Sequence, residues 1–247
     1  MSVVHLPISR WGAGDGPRVL LVHGLAGNRG TWWNIAEQLA DGGCAVVAPD
    51  LRGHGDAPTT SRYRFADFAT DLAELGDAWD LVIGHSLGGP IACALAQRCP
   101  GIAALLLLDP VFEIAASDFD DVAAGQIAEA DLHAEPATFA TANPKWHPLD
   151  AFHKARAARA ANPFTIERVM HDNAPWGHAT LARGLNRPLR ILAGDPSVFT
   201  MCPAALGGDL AAAEPLASFA TVAGTGHSVH REAPDAVVAA AREMLAR

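Results

Sequence analysis

Cysteine is scarce in this chain and is not arranged to hold a metal. Only four of the 247 residues are cysteine, and no two of them form a C-x-x-C pair. Structural zinc sites need closely spaced ligands, which this spacing does not supply. We therefore expect four buried free thiols, a pattern that fits a reducing compartment.

Long apolar segments are also missing. The most apolar short run, residues 102–108, is far below the ~20 residues that a transmembrane helix needs. The first residues, Met1–His5, lack the basic region and the apolar run of a signal peptide. Both absences predict a cytoplasmic protein without membrane insertion.

Basic side chains are few and dispersed. Lysine and arginine together number 18 against 27 acidic residues, and Lys145 and Lys154 are the only lysines, so the formal net charge is −9. An acidic chain without a basic cluster is a poor candidate for binding nucleic acid or an anionic membrane. A small-molecule substrate is the expected partner, while the oligomeric state stays open.

Short apolar runs alternate with helical patterns along much of the chain. Continuous apolar strands indicate burial on both faces, as in a parallel sheet covered by helices. The alternation favours an α/β fold with a mostly parallel sheet and helices on both faces. The strands are predicted at residues 19–22, 44–48, 80–83, 102–108, 189–193 and 218–223, and the helices at 31–40, 65–75, 86–97 and 234–245.

This rhythm stops between residues 111 and 182. The segment contains no convincing strand, and its prolines would divide it into short helices. We interpret 111–182 as a helical lid inserted into one core domain that comprises residues 1–110 and 183–247.

The strongest chemical signal is a G-x-S-x-G motif at residues 84–88, directly after a predicted strand and before a predicted helix. A nucleophile on such a sharp turn needs neighbours without Cβ atoms. A phosphate-binding loop, the competing interpretation, would end in Gly-Lys-Ser/Thr, which the chain lacks. Ser86 is therefore the predicted nucleophile.

A serine nucleophile needs a base and an acid. His227 follows a late strand, so it is expected at the same sheet edge as the motif, with His230 as the alternative base. Sheets with this turn order their triad as serine, acid, histidine. Asp195 follows the strand at 189–193 and is the favoured acid, whereas Asp109, after an earlier strand, is its rival.

Backbone amides are expected to hold the oxyanion. One donor should come from the loop after the first predicted strand and the other from the residue after the nucleophile. These positions are Leu25 and Leu87.

At this point the chain resembles the α/β-hydrolase fold superfamily. The matching segments occur in the family's order, at residues 23–24, 49–55, 84–89 and 224–228. Family members commonly end the strand before the acid with Gly-x-x-Asp. Here Asp195 follows Gly194 at once and Ser197 stands at the usual acid position, so Asp109 remains an alternative.

The resemblance implies a hydrolase that needs no metal or organic cofactor. Haloalkane dehalogenase-like and epoxide hydrolase-like members carry aspartate at the nucleophile position, so Ser86 argues against both. The favoured activity is hydrolysis of a carboxylic ester or lactone of a small to medium apolar substrate through an acyl-enzyme. A carbon–carbon bond hydrolase with the same triad, or a weakly catalytic ligand-binding receptor, is the alternative.

Substrate contacts are predicted from aromatic and motif residues. Two tryptophans follow the oxyanion loop, one histidine lies within the nucleophile motif, and three aromatic residues belong to the expected lid. The candidates are Trp32, Trp33, His85, Phe112, Trp146 and Trp176.

Overall fold

The protein is described by a computed structural model that covers residues 3–246. Seven strands form one sheet in the order β1-β3-β2-β5-β7-β8-β9, and β4 pairs with β6 in a separate ribbon. The strands are β1 (Ile8–Trp11), β2 (Arg18–Val22), β3 (Ala45–Pro49), β4 (Ala78–Trp79), β5 (Leu81–His85), β6 (Gly101–Ile102), β7 (Leu105–Leu108), β8 (Leu189–Ala193) and β9 (Ala217–Thr221).

Helices connect the strands and cover the sheet. None of the helices within residues 3–246 is both long and apolar enough to cross a lipid bilayer. They are α1 (Trp33–Asp41), α2 (Phe65–Ala73), α3 (Gly88–Arg98), α4 (Phe119–Ala128), α5 (Pro136–Ala142), α6 (Pro148–Ala160), α7 (Pro163–Asp172), α8 (Ala204–Ala213), α9 (Val229–Glu232) and α10 (Pro234–Leu245).

The sheet register brings three loops to one edge. Strand β1 is antiparallel to β3, and the other pairings in this sheet are parallel. Val22 pairs with Gly84 and His85 pairs with Leu108, so β2, β5 and β7 end almost level. Ligands of open α/β sheets bind outside the carboxyl ends of the strands, which is where these three loops meet.

Burial on both faces of the central strands confirms the predicted mostly parallel α/β sheet. Every residue of β5 and β7 is buried. Alternate residues of β2 belong to different clusters: Leu20 and Val22 pack on one face, and Val19 and Leu21 on the other. The two clusters are the two sides of the sheet, each covered by helices.

Several boundaries differ from the sequence predictions. The apolar run at 102–108 is divided into β6 and β7, because Gly101–Ile102 pairs with Ala78–Trp79 instead of joining the main sheet. The helix after the nucleophile begins at Gly88, two residues later than expected. Strand β1 and helix α8 were not predicted, since β1 is a four-residue edge strand and α8 is rich in alanine and glycine without a clear apolar face.

Residues 111–182 contain four helices, α4 to α7, and a 3-10 turn at Ala179–Ala182. Their strand-like contact is one isolated bridge between Glu113 and Gly177 within the described chain. Prolines stand at the first turn of α5, α6 and α7, where a missing N–H costs nothing. The division into a core and a lid remains a prediction.

A buried ion pair fixes the turn that follows β3. Arg52 Nε and Nη2 donate to the two carboxylate oxygens of Asp71 at 2.6 and 2.7 Å, and neither side chain is more than 3% exposed. The guanidinium also donates to the carbonyls of Arg62 and Asp67. Arg52 therefore ties the turn to α2 and takes no part in the cavity described below.

Two buried histidines join this turn to the loop after β2. His23 donates through Nδ1 to the Gly24 carbonyl at 2.8 Å, and its Nε2 accepts from the Leu51 amide at 3.1 Å. His54 lies 5.3 Å from His23, ring centroid to centroid, with its Nδ1 2.9 Å from the Arg52 carbonyl. Burial lowers the pKa of His23 to about 4, and burial together with the charge of His23 lowers that of His54 to about 3.

Breaking the Arg52 pair should destabilise the fold strongly. The substitution Arg52→Met leaves the Asp71 charge buried without its partner, and we expect the free energy of unfolding to fall by about 3–5 kcal/mol. Denaturant titration followed by circular dichroism measures this loss.

The surface ion pair between Arg190 and Glu243 provides a matched control, because both side chains reach solvent. Arg190→Met should cost at most about 1 kcal/mol. The double variant Arg52→Met/Asp71→Leu, which removes both buried charges, should recover part of the stability. A loss at Arg52→Met no larger than that at Arg190→Met would contradict the argument.

Acid should weaken the fold before its carboxylates titrate. His54 has an ordinary pKa of 6.5 and a folded pKa of about 3, so below pH 6.5 the unfolded chain binds a proton that the folded chain refuses. Stability therefore falls as the pH drops, by up to about 1.4 kcal/mol per pH unit for each such histidine.

The variant His54→Asn keeps an N–H near the Arg52 carbonyl but removes the titrating ring. Its unfolding free energy, measured by denaturation between pH 7 and pH 4.5, should decline less steeply than that of the wild type. His133→Asn, at an exposed position, serves as the control. Equal slopes for His54→Asn and the wild type would refute the assignment.

Candidate active site

Ser86 lies on a tight turn between β5 and α3. Its φ of +55° is in the left-handed region, which is strained for a residue with a side chain. The flanking glycines are required by space: a Cβ on Gly84 would lie 2.3 Å from the Gly88 carbonyl oxygen, and one on Gly88 would lie 2.2 Å from that of Val22. The motif therefore forms the strand–turn–helix arrangement that its sequence predicts.

His227 lies in the loop between β9 and α9, and its ring is oriented by Asp109. The Nδ1 atom is 2.6 Å from Asp109 Oδ2. Since an ionised carboxylate only accepts hydrogen bonds, Nδ1 carries the proton. In neutral His227 the other ring nitrogen, Nε2, is then the basic atom.

Asp109 follows β7 and is completely buried, with a φ of +42°. Its carboxylate also accepts from the amides of Gly194 at 3.0 Å and Met201 at 2.8 Å, and from the hydroxyl of Thr200. Burial favours the neutral acid, but the hydrogen bond and charge of His227, with those from Met201 and Thr200, outweigh it and hold the pKa of Asp109 below its usual value. The carboxylate is therefore ionised at neutral pH.

The preference for Asp195 as the partner of His227 is corrected by this geometry. Asp195 is half-buried, and its carboxylate accepts from the Gly224 amide at 2.7 Å and from Ser197. These bonds lower its pKa, yet they belong to a turn and not to the histidine. The chain after Gly194 turns at once, so Asp195 stops short of His227, and the rival Asp109 makes the contact.

The alternative base His230 is used elsewhere. Its Nε2 lies 3.1 Å from the Thr31 hydroxyl, and its ring packs against Trp32 and His85. Burial, and then the charge of His85, lower the pKa of His230 far below its usual value. The neutral, enclosed ring of His230 stabilises the chain through these contacts with Thr31, Trp32 and His85.

A cavity of about 670 Å³ opens at the carboxyl edge of the sheet, and both Ser86 and His227 line it. No direct hydrogen bond joins the two side chains in the described chain. Three of the predicted substrate contacts, His85, Trp146 and Trp176, are part of its wall.

The other three predicted contacts are not in the wall. Trp32 and Phe112 are fully buried in the two core clusters, one on each side of the sheet. Trp33 points toward helix α6, where its indole N–H donates to Asp150 at 2.8 Å. Aromatic residues near a motif fill the core as readily as a cavity, which is why sequence alone did not separate the two groups.

Two backbone amides at the cavity have no acceptor among the described residues. Within residues 3–246, neither Leu25 N–H nor Leu87 N–H donates to a backbone or side-chain oxygen, and both residues line the cavity. Ala26, next to Leu25, has a φ of +51°. These free donors fit the predicted oxyanion-binding positions.

His85, between Gly84 and Ser86, supports the histidine loop. Its Nε2 is 2.9 Å from the carbonyl oxygen of His227, so this nitrogen donates. Burial, and next the charge of His227, lower the pKa of His85 well below its usual value. His85 therefore acts as a neutral donor that holds His227 in place.

Three charged residues that no sequence pattern marks also line the cavity: Arg231, Lys154 and Glu129. Lys154 of α6 forms an ion pair with Glu129, the residue after α4, and spacing alone does not show this contact. Arg231 follows His227 by four residues and lies in the short helix α9, but this distance alone does not mark an arginine as a cavity residue.

Comparisons with known proteins agree with this architecture. Lipase LipV of Mycobacterium tuberculosis is 34% identical over 160 residues, 60% of each chain. The magnesium-chelatase 30 kDa subunit of Rhodobacter capsulatus is 30% identical over 256 residues, covering 93% of this chain and 88% of that one. The solved structure of E-2-(acetamidomethylene)succinate hydrolase has a TM-score of 0.84 at 22% identity, covering 99% of this chain and 96% of the other.

The match to the lipase spans less than two thirds of that protein's length. A family model described as "Alpha/beta hydrolase family" covers far more of this chain and matches residues 19–241. That range contains Ser86, both candidate acids and the loop that carries His227. The chain belongs to the alpha/beta hydrolase family, as its sequence motifs predict.

Proposed function

We propose that this protein hydrolyses a carboxylic ester or lactone through an acyl-enzyme formed on Ser86. The observation that carries the proposal is the 2.6 Å contact between His227 Nδ1 and the buried Asp109 carboxylate, beside a cavity that Ser86 lines. This contact leaves Nε2 of His227 free to take the serine proton. Asp109, not Asp195, is the acid of the proposed triad.

The first half of the reaction forms the acyl-enzyme. Ser86 Oγ attacks the carbonyl carbon while His227 Nε2 accepts its proton. The amides of Leu25 and Leu87 donate to the oxygen that becomes negative, and Asp109 stabilises the imidazolium. The protonated His227 then gives its proton to the departing alkoxide.

Water completes the cycle. His227 removes a proton from a water molecule, which attacks the acyl carbon, and Ser86 regains its proton as the acid product forms. The strained turn at Ser86 supports this role, because it fixes the position of the hydroxyl at the cavity wall.

A small to medium substrate with an apolar body fits the cavity. Its volume of about 670 Å³ lies within the range of small-molecule sites. Much of its wall is apolar and comes from the 111–182 segment, which supports a lid role for that segment: Val111, Ile114, Val122, Phe139, Met170 and Trp176. The mycobacterial relative is named a lipase, which agrees with ester chemistry.

Replacement of the nucleophile should abolish turnover. For Ser86→Ala we expect kcat on short-chain 4-nitrophenyl esters to fall by at least about 10⁴-fold, because the acyl-enzyme has no oxygen on which to form. Mass spectrometry of protein treated with a fluorophosphonate should find the adduct on Ser86 in the wild type and none in the variant.

Ser117→Ala is the matched control, since this serine is exposed in the 111–182 segment. It should keep both turnover and labelling. Wild-type protein that neither turns over any ester or lactone nor accepts a phosphonyl group at Ser86 would defeat the proposal. Cleavage of a vinylogous diketone without ester hydrolysis would favour a carbon–carbon bond hydrolase instead.

The identity of the acid gives a separate test. Asp109→Asn puts an amide beside His227 and disfavours the tautomer with a proton on Nδ1, so kcat should fall by about 10³- to 10⁴-fold. Asp195→Asn changes an exposed turn and should keep kcat close to that of the wild type. Thermal melts of both variants check folding, and a larger loss at Asp195→Asn would return the role to that residue.

A further inference from the structure

The cavity contains a cation that the protein does not neutralise at close range. Arg231, in the short helix α9, lines the same cavity as Ser86 and His227. Within residues 3–246, no carboxylate oxygen lies within 4.0 Å of its guanidinium. Lys154, the other basic chain in the wall, is paired with Glu129.

The hydrogen bonds of Arg231 leave most of its donors available. A guanidinium carries five N–H groups and accepts none. Here Nη2 donates to the Thr31 hydroxyl at 2.6 Å, and Nη1 is 3.5 Å from that of Ser228. Both partners are neutral hydroxyls, so the charge itself has no counterion beside it.

Trp146 shapes the same corner of the cavity. Its ring lies 4.5 Å from Arg231 Cζ, which holds the guanidinium in a fixed orientation. Trp146 Nε1 and Arg231 Nε are both buried and have no acceptor among the described residues. Both groups are donors only, so two N–H groups in this corner have no acceptor among the described residues.

The cation persists at neutral pH. Burial lowers the pKa of Arg231 to about 10, and the charges of Asp150, Glu129 and Glu232, from beyond direct contact, oppose that shift. The guanidinium therefore remains protonated at pH 7.

From this arrangement we infer that Arg231 binds a carboxylate on the substrate, so that the natural ester or lactone is an anion with an apolar body. Planar, bidentate recognition of carboxylates is the geometry that arginine favours. The inference rests on the proposed function and adds the chemical class of its substrate. It also makes Arg231 a specificity-determining residue beside the catalytic histidine.

The first test compares two esters that differ only in charge. The probes are 4-nitrophenyl hydrogen glutarate and its neutral amide, 4-nitrophenyl glutaramate, each corrected for uncatalysed hydrolysis. We expect the wild type to favour the anionic ester by roughly 10- to 100-fold in kcat/KM, the range of a charge-assisted hydrogen-bonded pair. The preference should decrease as salt is added.

Variants connect the preference to one side chain. Arg231→Gln should reduce the anionic-to-neutral ratio by at least about 10-fold, and Arg231→Lys, which keeps the charge, should restore part of it. Arg183→Gln is the matched control, because Arg183 is exposed and outside the cavity wall. It should keep the wild-type ratio.

A binding measurement separates this inference from the proposed function. Glutarate and glutaramide are titrated by calorimetry into Ser86→Ala protein, which needs no turnover. Glutarate should bind and glutaramide should not, and Ser86→Ala/Arg231→Gln should lose glutarate binding.

Neutral-ester turnover with no preference for the anion, or an anionic-to-neutral ratio equal in wild type and Arg231→Gln, would overturn the carboxylate inference alone. Failure of glutarate to bind would do the same. Glutarate binding without any turnover or phosphonylation at Ser86 would overturn the proposed hydrolysis and retain the anion site.

Discussion

The hydrogen bond between Asp109 and His227 is the interaction on which the rest of the site depends. A carboxylate without solvent contact is costly unless charged or polar donors surround it. Here the loop after β8 supplies the amides of Gly194 and Met201, and the loop after β9 supplies His227. The loops after β7, β8 and β9 are therefore locked together by one ionised group.

Much of the fold could be predicted because its signals are local. Buried parallel strands are continuous apolar runs, and the G-x-S-x-G turn needs glycine at fixed offsets, so both can be recognised in the sequence. Helix α10, opened by Pro234, has the predicted bounds Pro234–Leu245. Short edge elements such as β1 carry too few residues for a pattern, and they were missed.

The site was less predictable because its contacts are long-range. Asp195 and Asp109 both follow strands, and only the path of the chain after Gly194 distinguishes them. Likewise, nothing in the spacing of Trp32 and Trp33 tells a core side chain from a cavity wall. Arg231 was overlooked because a single arginine in an acidic chain has no pattern, although its lack of a nearby counterion is what makes it informative.

Because Asp109 follows β7, the loop from residue 194 to 203 contacts its carboxylate chiefly through backbone N–H groups. An amide hydrogen is available from every residue type except proline, so most side chains of this loop are not needed to hold Asp109. Two of them, Phe199 and Met201, nevertheless reach the cavity. Substitutions of these two side chains would therefore change the shape of the cavity wall without removing the hydrogen bonds that the loop backbone donates to Asp109.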